Sequence, residues 1–356
     1  MKTFFISEEN LQVFSRKLSE KLEVYAPYYP KNELKAETDA AHYLKVTPEE
    51  TREVDLKGIR TVEPLKIFFF RLKSKVANYY NDKSREVKEE TKPGRAIFGV
   101  RDCDLKALRI QDVNFLEGDF YDPFFANLRK TTLLFTSDCT FAGKSCFCTL
   151  LRQKPYSEEG FDLNFSSVKN GYAVRVGSDK GAEVIKEYSQ FFQETGNKYD
   201  QAVNENRKNV VKALEKQNKE FDFEGSVVDV AENNITSPRW MKEIETCIEC
   251  AACTNVCPSC RCYYLRDQLG KDGFERISNW DSCLIPGYSR MAGGGNARPL
   301  MATRFSNRFM CKFNWGVRIF GEVACKGCGR CIDACMGKID IRAVMKGIAM
   351  DVQLVK

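Results

Sequence analysis

Residues 247–258, CIECAACTNVCP, and residues 325–335, CKGCGRCIDAC, contain the same spacing of cysteines. In each run, two residues separate the first three cysteines from one another, and three residues separate the third from the fourth. The Cys-x2-Cys step alone is shared by zinc, thiol-redox and iron–sulfur sites. The full run is typical of ferredoxins, in which three thiolates bind one 4Fe–4S cubane and the fourth cysteine binds the other.

This crossed ligation assigns eight cysteines to two 4Fe–4S clusters. Cluster A takes Cys247, Cys250, Cys253 and Cys335, and cluster B takes Cys325, Cys328, Cys331 and Cys257. Met336 stands where the pattern usually has proline, but proline is not a ligand and the assignment does not depend on it. The competing hypothesis is a pair of zinc knuckles, which would use the same thiolates.

Four more cysteines lie in the 67-residue insertion between the two runs. This third set consists of Cys260, Cys262, Cys283 and Cys311. Four thiols are the number that one further tetrathiolate site needs, so the set predicts a third 4Fe–4S cluster. Its spacing matches no standard run, and the alternative is a group of buried, inert thiols that pack as small apolar side chains.

The N-terminal set consists of Cys103, Cys139, Cys146 and Cys148. Cys103 and Cys139 each follow an apolar run that predicts a buried strand, RAIFGV at 95–100 and TTLLFTS at 131–137. Because the carboxyl ends of parallel strands meet at one edge of a sheet, the two thiols are expected at the same edge, where α/β sheets place their sites. The set predicts a possible fourth site, either an iron–sulfur cluster or a zinc site. The alternative is a loop of free thiols that binds no metal.

Composition places these cysteines in a reducing compartment. The chain has 356 residues and 16 cysteines, none of them in 1–102 or 149–246, whereas a disulfide scaffold spreads its cysteines through the core. No signal peptide is expected in MKTFFISEENLQVF, and no run is long enough for a membrane helix. The net charge of +6 is not concentrated in a basic tract, so no nucleic-acid partner is expected. These features predict a cytoplasmic metal-binding protein.

The predicted fold class is α+β with two domains. Residues 1–225 are expected to form an α/β domain with a partly parallel sheet, because a helix starting near Asp104 lies between the two strands above. Residues 238–356 are expected to form a mainly helical, ferredoxin-like domain with a long insertion. Residues 7–22 predict an amphipathic helix capped by Ser7, and residues 64–80 predict a helix around Val76.

The chain resembles the family of iron–sulfur beta subunits of soluble, sulfhydrogenase-type NiFe hydrogenases, and it is also similar to the A subunit of anaerobic sulfite reductases. The resemblance rests on strings that span most of the chain: EPLKIFFF (63–70), GVRDCDLKAL (99–108), CFC (146–148), FDLNF (161–165), CIECAACTNVCPSCRCY (247–263), WDSCLIPGYSRMAGG (280–294), FSNRFMCK (305–312) and CKGCGRCIDAC (325–335). The string PGYSRMAGG favours the sulfite-reductase branch, whereas EPLKIFFF and the string around Cys311 favour the hydrogenase branch.

The resemblance implies an electron-transfer subunit of an anaerobic oxidoreductase complex that performs no bond chemistry itself. Its implied partners are a flavin-containing reductase subunit and a catalytic subunit of the hydrogenase or sulfite-reducing type, with ferredoxin as a further candidate. Two other hypotheses stay open at this point. One is a zinc-binding structural or interaction subunit, and the other is a catalytic role for an incompletely ligated cluster in one of the two irregular cysteine sets.

Overall fold

The structure, a computed structural model, describes residues 2–29, 41–80, 83–86, 94–119, 121–270 and 273–354. Its strands are β1 Thr3–Ser7, β2 Glu23–Tyr28, β3 His42–Val46, β4 Lys73–Tyr80, β5 Lys83–Glu86, β6 Arg95–Val100, β7 Thr132–Ser137, β8 Leu163–Val168, β9 Gly171–Val176, β10 Gln193–Glu194, β11 Tyr263–Leu269 and β12 Phe274–Trp280. Its helices are α1 Glu8–Ser19, α2 Asp102–Leu116, α3 Pro123–Thr131, α4 Asp179–Glu187, α5 Asp200–Asn218, α6 Val227–Asn233, α7 Arg239–Glu243, α8 Ala252–Asn255, α9 Met301–Phe313, α10 Trp315–Phe320, α11 Arg330–Asp333 and α12 Ile341–Leu354. None of the described helices is both long and apolar enough to cross a membrane.

The larger sheet is mixed and has eight strands in the order β10-β1-β9-β8-β7-β6-β2-β3. Its centre is parallel, because β2 pairs with β6, β6 with β7 and β7 with β8 in parallel register. The outer pairs are antiparallel, including the hairpin of β8 and β9. The predicted strand–helix–strand unit is therefore present as β6, α2 and β7, and the partly parallel sheet is confirmed.

The central strands of this sheet are covered on both faces. Along β6, Ala96 and Phe98 face one core with Phe14 of α1, whereas Ile97 and Val100 face a second core with Leu108 of α2. Burial on both faces explains why β6 and β7 read as continuous apolar runs in the sequence.

The first helix begins where the sequence predicts it. The Ser7 side chain accepts a hydrogen bond from the backbone N–H of Asn10 at 3.1 Å, which caps the helix. The buried face consists of Leu11, Phe14, Ser15 and Leu18. The helix ends at Ser19, three residues before the predicted end at residue 22.

The prediction of a helix around Val76 is wrong. Residues Leu65–Phe68 form one short 3-10 turn, and Lys73–Tyr80 form the strand β4. This strand pairs antiparallel with β12 and with β5, and β11 completes a smaller four-stranded sheet. Pairing with a strand nearly 200 residues away overrides the local helical pattern, because propensity is weaker than long-range pairing. This sheet takes strands from both sides of the predicted domain boundary.

The C-terminal half is built from short helices around the cysteine loops. Its apolar core contains Trp240, Phe305, Phe309, Val344 and Ile348, which come from α7, α9 and α12. The half is joined to the N-terminal half by direct contacts. The backbone N–H of Phe147 donates a 2.8 Å hydrogen bond to the carbonyl of Gly327, and Arg330 forms a buried ion pair with Asp104.

Candidate metal centres

The first cavity, cavity A, collects cysteines from both runs. Cys247, Cys250 and Cys253 line it together with Cys335. The loop of the first run turns sharply because Glu249 and Ala251 have left-handed backbones, with φ of 56° and 60°. The backbone N–H of Ile339 lies 3.3 Å from the Cys335 Sγ atom and donates a hydrogen bond to it. The structure thus brings together the four cysteines assigned to cluster A.

The second cavity, cavity B, is lined by the four cysteines assigned to cluster B, which are Cys257, Cys325, Cys328 and Cys331. Gly327 and Gly329, in the second run, have positive φ values of 64° and 74°. A Cβ atom on Gly327 would overlap the backbone of Cys148, and one on Gly329 would overlap the backbone of Ser145. Glycine is needed at both positions because the loop carrying the N-terminal set lies directly against this run.

The third cavity, the N-terminal cavity, is lined by all four cysteines of the N-terminal set. Cys103 lies in the first turn of α2, and Cys139 follows the last residue of β7 by two positions. Cys146 and Cys148 lie on the loop and 3-10 turn that follow. The expected placement at the carboxyl edge of the parallel strands is what brings Cys103 and Cys139 to one site.

Buried arginine side chains hold this edge together. Arg101 is 1% exposed and donates hydrogen bonds of 2.6 to 3.2 Å to five backbone carbonyls, those of Leu56, Lys57, Ile59, Ser137 and Asp138. Arg60 donates to the carbonyl of Cys328 and, at 3.0 Å, to the hydroxyl of Ser145. Five donors on a rigid guanidinium fix several loops at once, which positions Cys103, Cys139 and Cys146 relative to one another.

The structure brings only three of the four cysteines of the third set close together. Cys262, Cys283 and Cys311 are close enough to interact electrostatically, and the Tyr288 hydroxyl lies 3.8 Å from the Cys262 sulfur. Cys260 instead lies next to Cys257 of cavity B, close enough for the two thiols to shift each other's pKa in opposite directions. The structure therefore brings together three of the four predicted ligands and adds a phenol that the sequence reading did not include.

Burial makes most of these thiols hard to ionise. It raises the pKa of Cys139, Cys283 and Cys325 to about 12 and that of Cys331 to about 11. Cys257 is the exception, because the Cys260 thiol donates to it and Lys312 faces it, so its pKa lies well below the usual range. Thiolates in such cavities need compensating positive charge, and bound metal supplies it by displacing the proton.

The three cavities form a row whose neighbours share cysteines. Cys331 lines both cavity A and cavity B. Cys328 lines both cavity B and the N-terminal cavity. Groups bound in neighbouring cavities would thus have a lining cysteine in common.

The cysteine thiolates around the cavities fit iron–sulfur clusters better than a single metal ion. Within the parts of the chain that the structure describes, no three Cys, His, Asp or Glu side chains converge as ligands of one metal ion do. The cysteines surround cavities, and a cubane presents separate irons to its four thiolates. The two regular runs offer eight thiolates, the ligand type that 4Fe–4S clusters use, and their carboxylates Glu249 and Asp333 pair with Arg304 and Arg60.

Several residues that lie at these sites were not identified from the sequence. Arg308 lines cavities A and B, and Lys312 lines cavity B. Both lie inside the string FSNRFMCK, and they are four residues apart, as are Arg304 and Arg308. This helical spacing of cations next to cysteines was the signal that could have identified them. Tyr288 had no comparable signal, because nothing local ties it to Cys262.

Comparisons with known proteins agree with this chemistry. Residues 246–339 match the protein family described as a 4Fe-4S dicluster domain. Over 298 residues the chain is 33% identical to the sulfhydrogenase 2 subunit beta of Pyrococcus furiosus, an alignment that covers 81% of this chain and 83% of that relative. The matched family spans both cysteine runs and the insertion between them, so it includes all the lining cysteines of cavities A and B.

Proposed function

This chain belongs to the family of iron–sulfur beta subunits of sulfhydrogenases, and we propose that it relays single electrons between a flavin-containing subunit and the catalytic subunit of a hydrogenase-type complex. The observation that carries the proposal is the row of cavity A, cavity B and the N-terminal cavity, with Cys331 and Cys328 shared between neighbours. A ferredoxin is a further candidate partner, and the complex is proposed to be cytoplasmic.

Cavity A is the proposed surface end of the relay. Cys250 is exposed, and the neighbouring apolar side chains Ile248 and Met336 are 63% and 71% exposed. The cysteines of cavity B are less exposed, and Cys148 of the N-terminal cavity is buried. Electron exchange with a partner requires close approach to a redox centre, so the exposed rim around Cys250 is where a partner would reach this chain.

The proposed ligands of clusters A and B are the cysteines that line cavities A and B. When bound, each 4Fe–4S cluster accepts and releases one electron. The protein holds the thiolates in place and surrounds them with apolar side chains, among them Phe305 and Leu284 at cavity A and Phe147 at cavity B. Excluding water from the sulfurs is one of the means by which a protein sets the reduction potential.

The two irregular sets are proposed as further cluster sites. The N-terminal set has all four thiols around one cavity, which supports a cluster that extends the row beyond Cys328. The third set has Cys262, Cys283 and Cys311 together, with Cys260 as the proposed fourth ligand. Both assignments predict iron in excess of the two clusters that the regular runs bind.

Metal and sulfide analysis of anaerobically purified protein tests the proposal. We expect iron with an equal amount of acid-labile sulfide, at about 8, 12 or 16 irons per chain for two, three or four clusters. Four clusters correspond to both irregular sets being occupied. Zinc without labile sulfide would overturn the electron-transfer proposal and favour a structural zinc-binding subunit.

Replacing Cys283 with alanine separates a third cluster from inert thiols. Cys283 is 6% exposed and lines neither cavity A nor cavity B, so we expect the iron content to fall by about four per chain while clusters A and B remain. The measurement is iron content together with the electron paramagnetic resonance (EPR) spectrum of the reduced protein.

Tyr288→Phe is the matched control for this prediction. It removes only the hydroxyl beside Cys262, so iron content should stay unchanged if four cysteines are the ligands. Loss of iron in this variant would instead identify the phenol as a ligand. Unchanged iron in Cys283→Ala would show that the third set consists of packed thiols.

A further inference from the structure

Helix α9 carries three buried cations at four-residue intervals. Arg304, Arg308 and Lys312 are 1%, 4% and 2% exposed. A four-residue interval places side chains on one face of a helix, so the three charges form a line along α9. Burying a charge is strongly unfavourable unless a counter-charge and hydrogen bonds accompany it. Each of the three therefore needs a partner.

Arg304 has protein partners for its charge and its N–H groups. Its Nη2 atom lies 2.9 Å from a carboxylate oxygen of Glu249, and it donates to the carbonyls of Leu284, Arg298 and Pro299. This arginine is satisfied within the protein and ties the first cysteine loop to α9.

Arg308 and Lys312 differ from Arg304. Among the described residues, neither makes an ion pair with a carboxylate, and the buried Nε atom of Arg308 has no hydrogen-bond partner. The groups that face Arg308 are the thiols of Cys253, Cys331, Cys260 and Cys257. Those that face Lys312 are the thiols of Cys257, Cys260 and Cys311, and its Nζ atom donates to the Ser259 hydroxyl at 2.7 Å.

The two cations lie at different places along the row of cavities. Arg308 lines both cavity A and cavity B, so it stands between their two ligand sets. Lys312 lines cavity B and not cavity A. Their only anionic surroundings are the cysteine sites themselves, where deprotonated thiolates give a bound cubane a net negative charge that grows by one on reduction.

We propose that Arg308 and Lys312 are the buried counter-charges of the clusters and set their reduction potentials, Arg308 for clusters A and B and Lys312 for cluster B. The inference rests on the proposed electron-transfer function. A cation in a low-dielectric interior stabilises the reduced, more negative state more than the oxidised state. Both residues therefore raise the potentials of the clusters that they adjoin.

Redox titrations monitored by EPR on the full-length, cluster-containing protein test the assignment. In Arg308→Gln, the reduced-to-oxidised ratio of both clusters A and B at a fixed applied potential should fall about tenfold, equivalent to ~59 mV for one electron. In Lys312→Met, the ratio should fall for cluster B and stay unchanged for cluster A. The control is Arg318→Gln on α10, whose side chain is 63% exposed and pairs with Glu232, and this variant should shift neither cluster.

Arg308→Lys distinguishes charge from structure. This variant keeps the positive charge. Its reduced-to-oxidised ratios for clusters A and B, at the same applied potential, should therefore stay within about threefold of those of the parent protein, even if some iron is lost on purification. Equal potentials in the parent, Arg308→Gln and Lys312→Met proteins would overturn the inference while leaving the relay intact. Iron loss that is equally severe in Arg308→Gln and Arg308→Lys would also overturn it, because the role would then be structural. A parent protein without titratable clusters would refute the proposed function itself.

Discussion

Replacing Cys335 with alanine is expected to remove cluster A and to leave cluster B in place, although Cys335 belongs to the second cysteine run. The side chain of Cys335 lines cavity A with Cys247, Cys250 and Cys253. Cys325 and Cys328 line cavity B and do not line cavity A. A cubane that loses one of four thiolates in a partly exposed site is expected to be lost on purification, with about four irons per chain.

The measurement compares four variants, Cys335→Ala, Cys253→Ala, Cys257→Ala and Cys325→Ala, by iron content and by the EPR spectrum of the reduced protein. Cys335→Ala and Cys253→Ala should lose the same spectral component, because both cysteines line cavity A. Cys257→Ala should lose the other component, although Cys257 belongs to the first run, because its thiol lies in cavity B. If Cys335→Ala and Cys325→Ala lost the same component, each run would bind its own cluster and the crossed ligation would be wrong.

Replacing Arg330 with methionine is expected to destabilise the whole chain and not only the loop that carries it. Arg330 and Asp104 form an ion pair with a 2.7 Å contact, and their side chains are 2% and 1% exposed. Arg330 also donates to the Thr61 carbonyl at 2.8 Å, and Asp104 accepts from the backbone N–H of Leu65 at 3.1 Å. Removing one member of a buried pair leaves an uncompensated charge, which costs about 3–5 kcal/mol.

The effect is measured as the shift in the urea midpoint of the far-ultraviolet circular dichroism signal, under anaerobic conditions. The matched control is Arg318→Met, since Arg318 and Glu232 form an exposed pair that contributes about 0–1 kcal/mol. The double variant Asp104→Asn/Arg330→Met should recover part of the loss, because no charge is then left buried without a partner. An equal shift for Arg330→Met and Arg318→Met would show that the junction between the two halves contributes little.

This ion pair lies between two of the cysteine sites. Arg330 lies between Cys328 and Cys331, and Asp104 follows Cys103. The pair therefore holds one cysteine of the N-terminal cavity against the loop that lines cavity B. The contacts that join the two halves of the fold therefore also hold these two cysteine sites next to each other.

The grouping of the eight cysteines in the two regular runs could be predicted because the spacing within each run is local. A run with separations of two, two and three residues folds into one turning loop, and its geometry depends little on the rest of the chain. The helix α1 and the unit β6, α2 and β7 were predictable for the same reason, since Ser7 caps its own helix and buried parallel strands read as continuous apolar runs.

The strand β4 could not be predicted because its partner is remote. Tyr79 lies opposite Phe274, and Ala77 lies opposite Arg276, whose guanidinium lies 5.4 Å from the centre of the Tyr79 ring. Nothing near residue 77 indicates these contacts. A short segment with an ambiguous apolar pattern takes the structure that its long-range partners favour.

Sequence by itself determined the chemistry of this protein, and tertiary structure decided how its sites are arranged. The cysteine spacing predicts thiolate-bound 4Fe–4S clusters and a crossed pairing of the two runs, because the spacing on a loop is set by a few neighbouring residues. The row of cavities, the close approach of Gly327 to Cys148 and the placement of Arg308 between cavities A and B arise only when distant segments pack together. Those contacts depend on burial and on the pairing of charges across the whole fold, which no local spacing encodes.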